Sequence, residues 1–257
     1  MATNRQNVAL VTGGAKRIGR AIALALAGDG WDIAVHYGRS AADAAETVRA
    51  IEALGRRAAA LDCDLADAAA VRALPGRCAA LLGPLACVVN NASLFEYDHA
   101  AGFDPALLAR ATAINVAAPV LLAQALAAQL PEGRDGVVIN LLDQKLFNPN
   151  PDFLSYTLSK AALKEATTLL ARALAPRVRV VGIAPGITLP SGEQTDAGFS
   201  VAHTKTPLGR SSTVEDVAQA VLYAVHAGAV TGTTLLVDGG QHLLPSDRDV
   251  MFLTEKT

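Results

Sequence analysis

Apolar runs of four to seven residues recur along the chain, each followed by a longer Ala- and Leu-rich stretch with charged residues at helical spacing. Runs of this length, bounded by Gly, Asn or Asp, read as strands buried on both faces, and the longer stretches as the helices that cover them. The pattern predicts strands at residues 8–12, 32–37, 57–62, 85–90, 136–142, 178–184 and 234–237. Helices are expected near 18–28, 41–54, 68–82, 105–130, 155–174 and 214–227. Such alternation belongs to βα units around a parallel sheet. The expected fold class is therefore α/β, with one doubly wound, seven-stranded parallel sheet flanked by helices and a single domain over 1–257. No repeat, low-complexity block or linker divides the chain.

The segment 188–212 breaks the rhythm. It mixes Pro, Gly, Ser, Thr and charged residues without periodicity; Pro190, Gly192 and Gly198 can bend it, and Glu193, Asp196, His203 and Lys205 offer polar contacts. It leaves the carboxyl edge of the sheet, where open α/β folds bind ligands, so it reads as a substrate lid, with a tolerated surface insertion as the alternative.

At 257 residues, 51% hydrophobic, with a net charge of −2, the chain can bury a large core and lacks the basic footprint of a nucleic-acid binder. Cys63, Cys78 and Cys87 form no CxxC pair, which fits a reducing cytoplasm rather than a disulfide framework. Residues 1–7 lead straight into the short apolar run at Val8 and no uninterrupted apolar stretch reaches about 18 residues, so neither a signal peptide nor a membrane span is expected. The five His make no i, i+4 pair, and no metal site is expected.

After the first strand comes Thr12-Gly13-Gly14-Ala15-Lys16-Arg17-Ile18-Gly19, opening into a helix. Glycines there let backbone approach a pyrophosphate, whose charge would sit on the helix amino end; a mere tight turn is the bland alternative. NAD-selective folds place a carboxylate at the end of the second strand, whereas this chain has His36-Tyr37-Gly38-Arg39-Ser40. A guanidinium and a hydroxyl without a carboxylate suit the 2′-phosphate of NADP, against a simply solvated Arg. Asp62-Cys63-Asp64-Leu65 and Asn90-Asn91-Ala92-Ser93 end the third and fourth strands, at the edge where adenine and ribose would lie.

Tyr156 and Lys160 stand one helical turn apart. An ammonium that close is expected to lower the phenol pKa from about 10 toward working pH and make it a usable proton donor.

Together, the Thr12–Gly19 turn, Asn90-Asn91-Ala92, Asn115, Tyr156/Lys160, Pro185-Gly186 and Val237-Asp238-Gly239-Gly240 make the chain resemble the short-chain dehydrogenase/reductase family over nearly its whole length. The resemblance implies a Rossmann-like domain, hydride transfer with a nicotinamide, and usually a homotetramer. Two positions depart from the general family pattern: Arg17 replaces the middle glycine of TGxxxGxG, and Asp143 stands thirteen residues before Tyr156, where a Ser is usual. Both changes, with His36 to Ser40 and Phe95, resemble the pteridine reductase branch, with the dihydromonapterin reductase type, also active on dihydrofolate, as neighbour. In that branch a Phe and the nicotinamide wall a slot for a flat pterin.

The resemblance thus implies catalytic Asp143, Tyr156, Lys160 and Asn115, the last supporting Lys160 through a water. It implies NADPH contacts from Gly13, Lys16, Arg17, Ile18, Gly19, His36, Tyr37, Arg39, Ser40, Asp64, Leu65, Asn91, Ala92, Ser93, Lys160, Pro185, Gly186 and Thr188. Substrate contacts would come from Arg17, Ser93, Phe95, Asp143 and Tyr156. The expected ligand is a pterin or folate-like small molecule. Plainer readings stand beside these: Phe95 as a core aromatic, Asp143 as a carboxylate paired with Lys145, and Asn115 as a satisfied buried amide. A general carbonyl reductase for oxoacyl or sugar substrates and an NADPH-sensing protein without catalysis are the competing functions. Asp247, Arg248, Asp249 and Phe252 are expected either at a subunit interface or in a frayed terminus.

Overall fold

The computed structural model describes residues 7–190 and 194–254. Among them, seven strands form one parallel sheet in the order β3-β2-β1-β4-β5-β6-β7. They are β1 (Val8–Val11), β2 (Asp32–Tyr37), β3 (Ala58–Asp62), β4 (Leu85–Asn90), β5 (Gly136–Leu141), β6 (Val178–Pro185) and β7 (Thr234–Val237). The covering helices are α1 (Arg17–Gly28), α2 (Ala41–Ala53), α3 (Ala68–Leu82), α4 (Pro105–Thr112), α5 (Ala118–Gln129), α6 (Leu154–Leu174), α7 (Asp196–Thr204), α8 (Val214–His226) and α9 (Val250–Thr254).

Strand periodicity separates two cores. Ala9, Val11, Ile33 and Val35 face Ile22, Leu26, Val217 and Val221 of α1 and α8, whereas Val8, Leu10 and Val88 face Leu74, Leu122 and Leu126 of α3 and α5. Because helices cover both faces, the central strands are apolar throughout rather than alternating. Strand order reverses between β1 and β4, and their carboxyl ends diverge there into the crevice that open α/β sheets use for ligands.

Three features differ from the sequence reading. The helix at 105–130 carries a π-helical turn, Ala113–Ala117, between α4 and α5, which widens the backbone around Asn115. As one run, Pro105–Gln129 is long and apolar enough to cross a membrane by length and composition. It serves here as a core helix, with Leu122, Ala123 and Leu126 buried and Arg110 paired with Glu96 at 2.6 Å. The segment 188–212 is not irregular throughout, since Thr195 caps α7 by accepting the Gly198 N–H. Only Gly198 and Ala202 of that helix are buried, so no apolar stripe announces it. Of the expected lid residues, Gly192 and Glu193 lie outside the described residues.

Candidate active site

The glycine turn is fixed from below. Thr12 Oγ1 accepts the N–H groups of Asn91 and Ala92, each at 3.0 Å, and donates to Val89 O, lashing the end of β1 to the end of β4. Asn91 Nδ2 donates to Thr12 O and Gly13 O. Gly13 has φ +61°, and a Cβ on Gly19 would lie 2.1 Å from Gly13 O, so α1 can press against the turn only with glycine there. No side chain caps the amino end of α1, which leaves its first N–H groups available to an anion.

A cavity of about 610 Å³ opens beside the turn. Gly13, Arg39, Asp64, Leu65, Ala92 and Ser93 line it, as the sequence reading expects. Arg39 and Lys16 are exposed, and neither has a carboxylate partner among the described residues. Ser40 sits at the amino end of α2 with its hydroxyl making no cap bond. His36 lines the cavity too and also braces the turn. His36 is buried, its Nδ1 accepting the Gly13 N–H and its Nε2–H donating to Cys63 O, each at 3.0 Å. Burial holds its pKa below the ordinary imidazole value, so the neutral ring braces the turn. Tyr37 packs against the core rather than lining the cavity, and Ile18 packs there too while touching the second cavity.

That second cavity, about 200 Å³, lies over the carboxyl ends of β5 and β6 and is lined by Arg17, Ile18, Phe95, Asp143, Tyr156, Pro185, Gly186 and Thr188. Four of the five expected substrate residues therefore converge. Ser93 does not join them: it lines the first cavity, its hydroxyl 3.3 Å from Asn115 Oδ1. A Cβ on Gly186 would meet Ser211 Oγ at 2.4 Å, and Thr188 bonds Ser212 Oγ at 2.7 Å.

Asp143 lies two residues past the end of β5 and caps a short 3-10 turn, its Oδ1 accepting the Lys145 N–H at 2.8 Å. Its Oδ2 accepts from the Tyr156 hydroxyl at 2.8 Å. Lys160 is buried and donates to Leu141 O at 2.7 Å. Burial pushes the Asp143 carboxyl up; the Lys145 N–H, the Tyr156 hydroxyl and the Lys160 charge only partly offset this, and Asp249 adds to it. Burial and then the neighbouring Asp143 push the Tyr156 phenol well above its ordinary value, while burial brings Lys160 down to about 8. The expectation that Lys160 lowers the Tyr156 pKa is therefore overturned. Desolvation of the buried phenol, the adjoining Asp143 and then Asp249 all push it the same way, upward.

Asn115 makes no direct hydrogen bond to Lys160 among the described residues. Its amide is saturated, with Oδ1 accepting from the Leu94 N–H and Ser93 Oγ and Nδ2 donating to Leu94 O and Ser159 Oγ. It positions the 93–95 segment against α6. Lys145 Nζ likewise turns away from Asp143 to Asp152 O, at 2.5 Å, and to Asp249, at 3.4 Å.

Phe95 is 40% exposed, which removes the core-aromatic reading. Its ring stacks on Phe153 at 4.2 Å and meets Tyr156 edge to face at 4.7 Å. Across the cavity, Arg17 has φ +56°, the left-handed region in which the usual glycine is unstrained, and its Nη2 donates to Pro190 O at 2.8 Å. Arg17→Gly relieves that strain and deletes the bond to Pro190. Opposing effects of about 1 kcal/mol each should leave the melting temperature nearly unchanged while substrate KM rises. Steady-state kinetics beside a thermal melt checks this, and equal losses in both would make Arg17 a structural residue.

The carboxyl-terminal segment folds back on its own chain instead of fraying. Arg248 makes a two-pronged bond to buried Asp152, at 2.8 and 3.0 Å, and the Asp249 N–H donates to the same carboxylate. Phe252 lies over Phe153 at 6.1 Å and meets Tyr97 at 5.3 Å. Asp249, Val250 and Met251 thereby become cavity wall. Burial pushes the Asp152 carboxyl up, but Arg248, the Asp249 N–H and the Lys145 charge outweigh it and hold the group below the usual range. A depressed folded pKa stabilises above the unfolded value and is lost as pH falls through the folded one, so this latch should loosen in acid. Arg248→Ala should remove hydrogen-exchange protection from residues 244–252 and raise KM, and unchanged exchange there would refute the latch. Gln144, Gln194 and Gln241, all lining the cavity, escaped the sequence reading as site residues, and Asp249, expected at an interface or in a frayed terminus, lines it too; no motif spacing marks them, and the tail reaches the site only through tertiary packing.

A sequence profile of the short chain dehydrogenases matches residues 7–197. A crystal structure titled FolM alternative dihydrofolate reductase 1 from Brucella canis, complexed with NADP, superposes with a TM-score of 0.90 at 42% identity, covering 93% of this chain and 95% of that one. Pteridine reductase 1 of Leishmania tarentolae is 32% identical, covering 92% of this chain and 96% of its own. A 3-oxoacyl-[acyl-carrier-protein] reductase of Staphylococcus aureus is also 32% identical, over 91% of this chain and 98% of its own. With the glycine turn at the sheet crevice and the Tyr156, Lys160 and Asp143 cluster beyond it, these matches establish that the chain belongs to the short-chain dehydrogenase family.

Proposed function

We propose that this chain is an NADPH-dependent reductase of a C=N bond in a pterin, dihydropterin or dihydrofolate ring. The observation that carries the reading is the 2.8 Å bond between Tyr156 and a carboxyl group whose pKa is raised. A Ser at this position would steady a carbonyl oxygen on its way to an alkoxide. Reducing C=N instead requires a proton on nitrogen, and a carboxylic acid can replace the proton that a phenol gives away.

The cofactor cradle fits on this chain's own features: a turn with no room for a Cβ, a helix end that its N-cap side chain leaves uncapped, and Lys16 and Arg39, which have no carboxylate partner among the described residues, with no carboxylate at positions 36–40 after β2. Gly13, Gly19, Asn91 and Ala92 would shape the pyrophosphate and ribose sites, Arg39 and Ser40 the 2′-phosphate site. When bound, NADPH supplies the hydride to a ring carbon. Tyr156 gives its proton to the adjacent nitrogen and recovers one from Asp143, which is reloaded from water at the cleft mouth. Lys160, held by Leu141 O, would orient the nicotinamide ribose, Phe95 forms the slot wall, and α7 acts as lid.

A homotetramer accompanies this reading, supported by Leu158 and Leu169, 46% and 61% exposed on one stripe of α6; sedimentation velocity reads it directly. A cytoplasmic location suits the three free, buried thiols. The test is absorbance loss with NADPH or NADH against dihydrobiopterin, dihydromonapterin, dihydrofolate and an oxoacyl ester. Turnover of a pterin with NADPH supports the assignment, and turnover of the oxoacyl ester alone replaces it with a carbonyl reductase.

A further inference from the structure

The ring cavity does not end at its own wall. Gln144, Gln241, Asp249 and Val250 also line a neighbouring cavity of about 170 Å³, whose remaining walls include Asn148, Asn150 and Lys205. At about 200 Å³ the ring cavity alone falls short of the ~300–1,000 Å³ usual for a small-molecule site, and the second space makes up the difference. The junction is polar and unsatisfied, since Gln144 Oε1 is buried without a hydrogen-bond partner among the described residues. Buried acceptors of this kind normally have a donor, so a bound molecule with an N–H or O–H there would complete it. Further out, Asn150 Oδ1 accepts the Asp152 N–H, and its NH₂ bonds to no other group among the described residues. Lys205, just past α7, has no carboxylate partner among them.

We propose that this second cavity is a subsite for a polar side chain carried by the substrate ring and ending in an anion, with Lys205 as its charge partner and the Gln144 and Asn150 amides as its hydrogen-bonding walls. The proposal rests on the pterin reading above and narrows it: a folate-like substrate, or a pterin esterified with phosphate, is preferred over a pterin with a neutral side chain. Asp249 at the junction is compatible, because Lys145 already faces its carboxylate and a tail N–H can donate to it.

The test compares kcat/KM for dihydrofolate, a dihydroneopterin phosphate and dihydrobiopterin in the wild type, Lys205→Ala and Lys205→Glu. The ratio of dihydrofolate to dihydrobiopterin should fall about threefold to fivefold in Lys205→Ala, the size expected of one partly exposed charge pair, and further in Lys205→Glu. Raising the salt concentration should erode the wild-type ratio and leave that of Lys205→Ala flat. Loss of the phosphate ester's advantage alone would identify a phosphate rather than a carboxylate as the anion. If both pterins turn over and the ratio moves in neither variant, the subsite is refuted while the reductase assignment stands. If no pterin turns over in the wild type, it is the reductase assignment that falls.

Discussion

Replacing Tyr156 by phenylalanine should lower kcat for pterin reduction by about 10²–10⁴-fold, the range that one positioned proton donor contributes. The ring remains, and with it the edge-to-face contact with Phe95 at 4.7 Å, so the fold should hold with only the modest loss in melting temperature that one hydrogen bond to Asp143 carries, and the loss of rate can be assigned to the hydroxyl. The pKa direction sharpens this expectation. Because burial and Asp143 push the phenol well above its ordinary value, Tyr156 stays protonated across the working range and is a donor rather than a base. Reduction should therefore outrun the reverse oxidation at neutral pH, and the pH profile of kcat/KM should show no limb from Tyr156. Stopped-flow single-turnover kinetics separates the proton-dependent step from product release. A Tyr156→Phe variant within a fewfold of wild type would mean that Asp143 or water protonates the substrate directly.

The fold was legible because its signals are local. Strand periodicity, the glycine turn and the helix boundaries come from neighbours in sequence, and an all-buried strand such as Leu85–Asn90 announces itself by composition. The Arg17 departure was also readable, and φ +56° supplies its physical content: a side chain held where glycine would be free, over the cavity. What the sequence hid are matters of direction and long-range closure. It could not say that Asn115 would bond Ser159 directly, or that Ser93 would line the cavity beside the glycine turn. Asn115 sits in a π-helical turn that composition does not reveal. Nor could it place Arg248 on Asp152, a pairing across ninety-six positions that helix and strand patterns leave unspecified. The sign of the Tyr156 shift needed burial, because an i, i+4 ammonium and a desolvated carboxylate pull in opposite directions and only the packed structure decides between them.

Asp143 should show the second large effect, and it separates a relay from a merely structural carboxylate. Its raised pKa comes first from burial and is increased by Asp249, so the group binds its proton more tightly folded than unfolded. Stability contributed by that proton is complete below the unfolded value of about 3.9 and is lost as pH rises through the folded value. Asp143→Asn, which never ionises, should therefore match wild type in melting temperature near pH 4 and exceed it near pH 8. Activity should move the other way. Without an acid to refill Tyr156, kcat should fall by about 10–10²-fold, and the decline of wild-type kcat/KM with rising pH should flatten in the variant. Such a stability gain paired with an activity loss is the behaviour of a group kept against its solvation preference for function. Asp143→Ala leaves the Lys145 N–H and the Tyr156 hydroxyl without their acceptor and should lose both stability and rate, so the asparagine variant is the informative one. An asparagine variant destabilised equally at both pH values, with an unaltered activity profile, would reduce Asp143 to a cap for the 144–147 turn and return the proton supply to Tyr156 and water alone.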